Sequence, residues 1–175
     1  PPSFAIDPNG LRGDWRFLGI DEGEGMIEGF RITAREIPHK GGRTFGYRIQ
    51  DGAATMAYLS DHSPRAAGPG PAGFGEYHDA ARTLADGVDL LLHDAQYTAE
   101  DFPRYALFGH ATVDYAVQLA TSCHVSRVLL FHHAPHRTDD QLDAIVRAYE
   151  GFAPRVEAAA EGLTIDLPAT GAAGA

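Results

Sequence analysis

The hydrophobic pattern of the chain changes near residue 76, and this change limits the folds that the chain can adopt. Before it, three strand-like runs stand at Phe30–Ile37, Thr44–Ile49 and Thr55–Leu59. The first run alternates apolar with polar residues, as a half-buried strand does. Asp51-Gly52 is a tight-turn signal and predicts a hairpin between the second and third runs. After residue 76, helix and strand patterns alternate, which predicts an α/β or α+β layered domain.

The elements predicted after residue 76 are helices at Glu76–Ala85, Ala111–Ser122 and Asp139–Tyr149, with strands at Val88–Leu92, Val128–Phe131 and Leu163–Leu167. Residues 1–28 are rich in Pro, Gly and acidic residues and predict irregular connections or weak strands. Residues 63–75 are rich in Pro and Gly and predict a loop. The small residues at 169–175 predict a flexible tail.

Charge and cysteine content exclude several classes of protein. The chain has 14 Lys+Arg against 24 Asp+Glu, a formal net charge of −10. This balance argues against a broad nucleic-acid surface, because neutralising phosphates needs clustered cations. The single cysteine, Cys123, excludes an internal disulfide framework and a cysteine-rich zinc site, and it is expected in the core. Without an apolar run near the ~20 residues that span a bilayer, and without a signal-peptide pattern, we expect no membrane association and a cytoplasmic location.

Four residues that can bind metals stand just beyond the carboxyl ends of predicted strands. They are His39, Asp61, Asp94 and His132. Ligand sites of α/β sheets form at that edge, and imidazole with carboxylate suits zinc, manganese or iron. Each of these residues could instead have a purely structural role. Asp61, for example, stands at the start of a Pro/Gly loop, and aspartate is common in such turns.

Five segments resemble, in order, motifs of the RNase Z and phosphodiesterase branch of the metallo-β-lactamase-fold hydrolases. The segments are His39 followed by Gly46-Tyr47-Arg48-Ile49, then Tyr58-Leu59-Ser60-Asp61, His93-Asp94-Ala95, Gly109-His110-Ala111-Thr112 and His132-His133-Ala134-Pro135. The upstream His-x-His-x-Asp-His motif of that family does not occur in the 175 residues. The resemblance therefore implies that residues 1–168 form the C-terminal half of an αββα metallo-β-lactamase sandwich.

The resemblance also implies site roles. His39 would bind one metal, His132 a second, and Asp61 would bridge the two divalent ions, which are expected to be zinc, with manganese or iron as alternatives. His110 would contact the scissile phosphate and assist the leaving group. Asp94 would accept the His110 ring N–H, although it replaces the glutamate of RNase Z with a side chain one methylene shorter.

The other histidines receive structural interpretations. His132 and His133 project to opposite faces of an extended strand. Both faces are apolar, so periodicity does not choose between them, and only the resemblance selects His132. His133 is then expected in the core or behind the ligands, and His62 is expected in the loop or behind the ligands. His93 is expected to be buried and hydrogen-bonded, and His136 with Arg137 is expected to line the mouth of the site.

Together these features imply a metal-dependent hydrolase. The resemblance implies a phosphodiesterase that uses a hydroxide between two metals and is completed by an N-terminal half on a separate chain or in a cleaved segment. The acidic charge and the lack of a basic arm favour small cyclic or linear diesters over tRNA. Two alternatives remain: a thioester, lactone or β-lactam hydrolase on the same fold, and a non-catalytic half-domain that binds a partner chain. An uncovered sheet face predicts that the chain is not a free monomer, and a homo-oligomer is expected.

Overall fold

The computed structural model describes residue 10, residues 12–15 and residues 19–167. Among these residues, seven strands form one sheet in chain order. The strands are β1 Gly23–Ile27, β2 Phe30–Ile37, β3 Thr44–Asp51, β4 Ala54–Leu59, β5 Leu90–Asp94, β6 Arg127–Phe131 and β7 Arg155–Ala158. The helices are α1 Asp79–Ala85, α2 Phe102–Tyr105, α3 Val113–Ser122 and α4 Asp139–Arg147. The molecule therefore has the α/β architecture that the sequence predicts.

The strand directions bring four chain segments to one edge of the sheet. β1 to β4 pair antiparallel, and β4 to β7 pair parallel. β2 and β4 are both antiparallel to β3, so they run in the same direction as each other and as β5 and β6. The carboxyl ends of these four strands meet at one edge. The segments that begin with His39, Asp61, Asp94 and His132 lie there, as expected.

The helices that link parallel strands build the core on one face of the sheet. α1 packs on β2, β3 and β4, α3 on β5 and β6, and α4 on β7. Successive right-handed crossovers between neighbouring strands place all three helices on the same face. Leu59, Leu91 and Leu130 point from the sheet into this layer, where they meet Leu84 and Leu119, and all five are buried.

The opposite face of the sheet is apolar but only partly covered. The register places Ile49 beside Met56, and Tyr58 beside Leu92. These residues and Phe131 are partly exposed. In the described part of the chain, the helices that pack on the sheet lie on the other side. We refer to Ile49, Met56, Tyr58, Leu92 and Phe131 as the open sheet face.

Several predicted boundaries differ from the structure. The strand predicted at Leu163–Leu167 is wrong, because those residues form no strand and β7 lies at Arg155–Ala158 instead. Val156 is buried and pairs with Val128, whereas Leu163 is exposed. β7 has only four residues and one buried apolar side chain, so its alternation of apolar and polar residues is too short to indicate a strand in the sequence.

The remaining differences are small or concern irregular segments. α1 and α3 start at Asp79 and Val113, later than predicted, and β5 extends to Asp94. β1 lies in the segment read as irregular or weakly extended, and α2 was not predicted. The loop 63–75 contains a short 3₁₀ turn, Pro64–Ala67. The predicted tail at 169–175 lies outside the described residues. Within the described residues, none of the helices has the length and apolar character that crossing a bilayer requires.

Candidate metal centre

Four side chains converge at the carboxyl edge of the sheet. Asp61, Asp94, His110 and His132 each offer a ligand atom, and these atoms all lie within 4.8 Å of one another. Two imidazoles with two carboxylates are a donor set that borderline divalent metals accept. The residues present therefore fit a divalent ion such as zinc. We call these four residues the metal-site cluster.

The backbone turns sharply at two members of the cluster. Asp61 has φ +52° and His132 has φ +57°, the left-handed region that residues other than glycine seldom adopt. Each lies just after the end of its strand, where the turn redirects the side chain. As a result, Asp61 Oδ1 lies 3.6 Å from His132 Nε2. Such conformations cluster at functional sites, although they also occur in ordinary turns, as at Glu28 and His124.

Asp94 and His110 form a buried hydrogen-bonded pair. His110 donates its Nδ1–H to Asp94 Oδ2 at 2.7 Å, and the other carboxylate oxygen accepts the backbone N–H groups of Gln96 and Ala111, each at 3.2 Å. The hydrogen bond that His110 donates to Asp94 is the largest of the effects that raise the pKa of His110 above its usual value. The charges of Asp94 and Asp61 contribute less, and burial opposes them. The shorter aspartate thus reaches His110 directly. Because Nδ1–H is held by Asp94, Nε2 is the nitrogen that gains or loses a proton.

The two histidine rings of the cluster stack on each other. The ring centroids of His110 and His132 are 4.7 Å apart, with 21° between the ring planes. His110 Nδ1 is also 4.0 Å from Asp61 Oδ1. The stack fixes the orientation of both rings, so their nitrogens occupy defined positions beside the two carboxylates.

His39 lies next to the metal-site cluster but outside it. Its Nδ1 is 2.8 Å from the carbonyl oxygen of Gly109, and its ring is 5.5 Å from the His110 ring. A carbonyl can only accept, so His39 donates Nδ1–H and its Nε2 keeps a lone pair, which is how metal-binding histidines are usually held. Gly109, with φ +94°, permits this approach, since a Cβ there would lie 2.8 Å from Lys40 Cβ. The ligand role of His39 remains a prediction.

A second pair of histidines lies behind the cluster, and His93 is buried and hydrogen-bonded as expected. His62 and His93 are 0% exposed, with His62 Nδ1 2.9 Å from His93 Nε2. Burial lowers the pKa of both imidazoles. In the sequence, the only indication that these two histidines lie near the site is their position, because His62 follows Asp61 and His93 precedes Asp94.

The residues expected at the mouth of the site are arranged differently. His136 is exposed, but Arg137 is largely buried and donates to the Asp101 carboxylate. Arg137 therefore joins the loop after β6 to the segment before α2. His133 is partly buried, and burial lowers its pKa. Cys123 is buried in the core as expected.

The sequence matches one family model and several curated relatives. Residues 12–133 match the model described as the beta-lactamase superfamily domain. Ribonuclease Z of Halobacterium salinarum is 31% identical over 114 residues, which are 65% of this chain and 32% of that protein. Ribonuclease Z of a Nostoc species is 31% identical over 96 residues, covering 53% of this chain and 30% of that protein. The chain thus spans about a third of the length of the curated relatives that it matches.

Solved structures share the same fold. The metallo-β-lactamase-fold protein YhfI from Bacillus subtilis aligns with a TM-score of 0.63 at 22% identity, covering 82% of this chain and 52% of that one. The short form of human tRNase Z aligns with a TM-score of 0.60 at 21% identity, covering 83% and 46%. At these identities the likeness concerns the fold.

Proposed function

Because the chain belongs to the β-lactamase superfamily and resembles its ribonuclease Z branch, we propose that it forms part of a metal-dependent hydrolase that cleaves phosphodiesters. The observation that carries this proposal is the Asp94–His110 pair beside Asp61 and His132. It combines a set of metal ligands with a histidine held in one tautomer. Such a combination suits attack on a phosphate whose leaving group needs a proton.

The proposed metal ligands are Asp61, His132 and His39. A carboxylate such as Asp61 can share its two oxygens between two ions, and His39 would add a ligand from the neighbouring loop. A bound pair of divalent ions supplies Lewis-acid polarisation of the phosphate and activation of water. Zinc is the first candidate for the donor set, with manganese or iron as alternatives.

His110 has the proposed role of contacting the phosphate and protonating the leaving oxygen. Asp94 holds its Nδ1–H, which leaves Nε2 as the atom that exchanges a proton with substrate. The raised pKa of His110 keeps a larger fraction of the ring protonated near neutral pH, and an efficient general acid has a pKa close to the working pH. A thioester or β-lactam hydrolase has less use for such a pair, so we rank that activity lower.

Small diesters are the proposed substrates. The net charge of −10 disfavours a long polyanion, because binding one depends on clustered cations. The ribonuclease Z relatives favour an RNA phosphodiester as the second candidate. The two substrates differ in size and charge, so they can be compared directly.

We further propose that another polypeptide segment completes the site. The open sheet face is apolar and partly exposed, which is a costly surface to leave in water. A covering layer that carries the remaining metal ligands, either an upstream half or a second copy of this chain, would bury it. A non-catalytic half-domain that only binds a partner through this face is the competing function.

The test is a metal and activity assay on the purified chain, alone and together with an upstream half that carries the His-x-His-x-Asp-His motif. With the site completed in this way, we expect zinc or manganese to bind and to support hydrolysis of bis(p-nitrophenyl) phosphate and cyclic nucleotides, and a chelator to abolish it. Asp61→Asn is expected to lower metal content and activity together, whereas Asp86→Asn, a change at an exposed carboxylate, leaves both unchanged.

Other outcomes would replace the proposal. Cleavage of a tRNA precursor without cleavage of small diesters would contradict the proposed small substrates and favour RNA. Hydrolysis of a thioester or nitrocefin alone would replace the reaction. If the chain binds no metal and hydrolyses none of these compounds even with the upstream half supplied, the non-catalytic half-domain is favoured.

A further inference from the structure

We propose that His62 and His93 form a buried strut that sets the distance between Asp61 and the Asp94–His110 pair. Both are positioning residues, and neither is proposed to touch substrate. The inference rests on the proposed function, because it concerns the same site. It adds two residues to that site for which the family resemblance gives no role.

The hydrogen bonds of the strut have one possible direction. His93 Nδ1 lies 2.6 Å from the backbone oxygen of Asp94, and this oxygen can only accept, so His93 carries its proton on Nδ1. A fully buried imidazole without a carboxylate partner stays neutral, and the Asp94 carboxylate is already bonded to His110, Gln96 and Ala111. His93 Nε2 is therefore an acceptor, and His62 Nδ1–H donates to it.

The strut acts where the sheet no longer holds the two segments together. The last paired residues of β4 and β5 are Leu59 and His93. Asp61 lies beyond this point, so no ladder hydrogen bond fixes it relative to β5. The hydrogen bond from His62 to His93 holds the chain to β5 beyond that last pair. Because His62 follows Asp61 and His93 precedes Asp94, it holds these two carboxylates relative to each other.

A further contact joins the strut to His39. The backbone N–H of Ser63 donates to the Pro38 carbonyl at 2.7 Å. The segment 61–63 is thus tied on one side to β5 and on the other to the turn that carries His39. The rings of His62 and His93 also pack against the buried Tyr115, with centroids at 5.6 and 5.7 Å. This packing leaves little room for the strut to rearrange.

Asparagine and glutamine separate a positioning role from simple core packing. An asparagine amide nitrogen takes the place of imidazole Nδ1, and a glutamine amide nitrogen takes the place of Nε2. His62→Asn therefore keeps the donor to His93, and His62→Gln loses it. Both changes put a polar amide into the same buried space, so a purely structural role predicts similar effects for the two.

The experiment is proton and nitrogen NMR on the ¹⁵N-labelled, metal-free chain. In the unsubstituted chain we expect His62 and His93 to be neutral with the proton on Nδ1. In His62→Asn the His110 Nδ1–H signal should stay unchanged. In His62→Gln its exchange with solvent should become about tenfold faster or more, because the hydrogen bond to Asp94 opens more often. Zinc binding, where the chain shows it, should weaken about 10- to 100-fold in His62→Gln alone.

Two results would overturn the proposal. One is a His93 proton on Nε2 in the unsubstituted chain, a measurement that needs no variant to fold. The other is an equal change of the His110 signal in His62→Asn and His62→Gln. These readouts are independent of hydrolysis: an inactive chain with the expected tautomers refutes the proposed function and leaves the strut in place.

Discussion

At the scale of single residues, Asp94 shows how the fold makes a buried charge tolerable. The side chain is 0% exposed, yet both of its oxygens accept hydrogen bonds, from His110 and from two backbone N–H groups. A buried carboxylate is costly unless its oxygens are bonded in this way. The same bonds fix the His110 tautomer, so stability and chemistry depend on one side chain.

Asp94→Asn is expected to lower the pKa of His110. The substitution removes the largest of the effects that raise this pKa and leaves the burial that lowers it. Activity should fall about 10- to 100-fold, the usual effect of losing a group that orients a site residue. NMR titration of His110 measures the shift. Asp114→Asn is the matched control, because Asp114 contacts Tyr149 and not the site; an equal shift in both variants would contradict the assignment.

The metal-free chain is expected to lose stability as the pH falls below about 6.5, the ordinary pKa of histidine. Burial lowers the pKa of His62, His93 and His133, so the unfolded chain takes up protons there that the folded chain does not. His110 acts in the opposite sense, because its raised pKa favours the folded state at low pH and loses that effect as the pH rises. The stabilising effect of His110 is complete below about pH 6.5, so below that pH the three histidines with lowered pKa determine how stability changes.

Urea denaturation across this pH range measures the effect. The unfolding free energy should change by up to about 1.4 kcal/mol per pH unit for each net proton taken up on unfolding. His62→Asn should flatten the profile. His124→Gln, at an exposed histidine, should leave it unchanged. A profile that is level between pH 5 and 6.5 would show that the buried histidines do not behave as described.

At the scale of elements, Gly46 decides how closely α1 packs on β3. A Cβ at this position would lie 2.4 Å from Leu59 Cδ2 and 2.8 Å from Leu84 Cδ1. The strand was predicted at Thr44–Ile49, but a glycine inside a strand usually weakens it. In the structure, the missing side chain of this glycine leaves room for Leu59 of β4 and Leu84 of α1.

Gly46→Ala is therefore expected to destabilise the chain by about 1–3 kcal/mol, the range for overpacking a filled core. Chemical denaturation measures the loss. Gly42→Ala is the matched control, since a Cβ there meets no atom within 4 Å. Equal stability of the two variants would mean that Leu59 and Leu84 move aside without cost.

At the scale of the whole molecule, the open sheet face is an apolar surface that the described elements leave only partly covered. Its five apolar residues are partly exposed on adjacent strands, so we expect the purified chain to associate at micromolar concentration. Leu92→Lys should shift it towards the monomer, because a charge in the middle of this face opposes burial. Phe152→Lys, on an exposed aromatic ring in the connection between α4 and β7, should not.

Sedimentation velocity over a range of concentrations measures the association, with thermal unfolding as a check that Leu92→Lys folds. A monomer at every concentration in the unsubstituted chain would contradict the proposed partner surface. Association that persists unchanged in Leu92→Lys would place the contact elsewhere.

The sequence by itself determined the elements with a strong local period and the edge at which the site forms. β2 has the predicted bounds because alternation over eight residues is a clear signal. The segments that begin with His39, Asp61, Asp94 and His132 could be assigned to one edge, because each follows the carboxyl end of a predicted strand. β7 was missed because its strand character comes from pairing with β6, a contact distant in sequence.

Only the tertiary structure decided which side chains meet. The stacking of His110 on His132 and the bond from His62 to His93 join residues from different segments, and left-handed turns at Asp61 and His132 aim two of the site's side chains. No local pattern encodes such contacts, because they depend on how strands of different length end beside one another. The sequence could therefore place the histidines near the site, and the fold alone separated the cluster at its centre from the pair buried behind it.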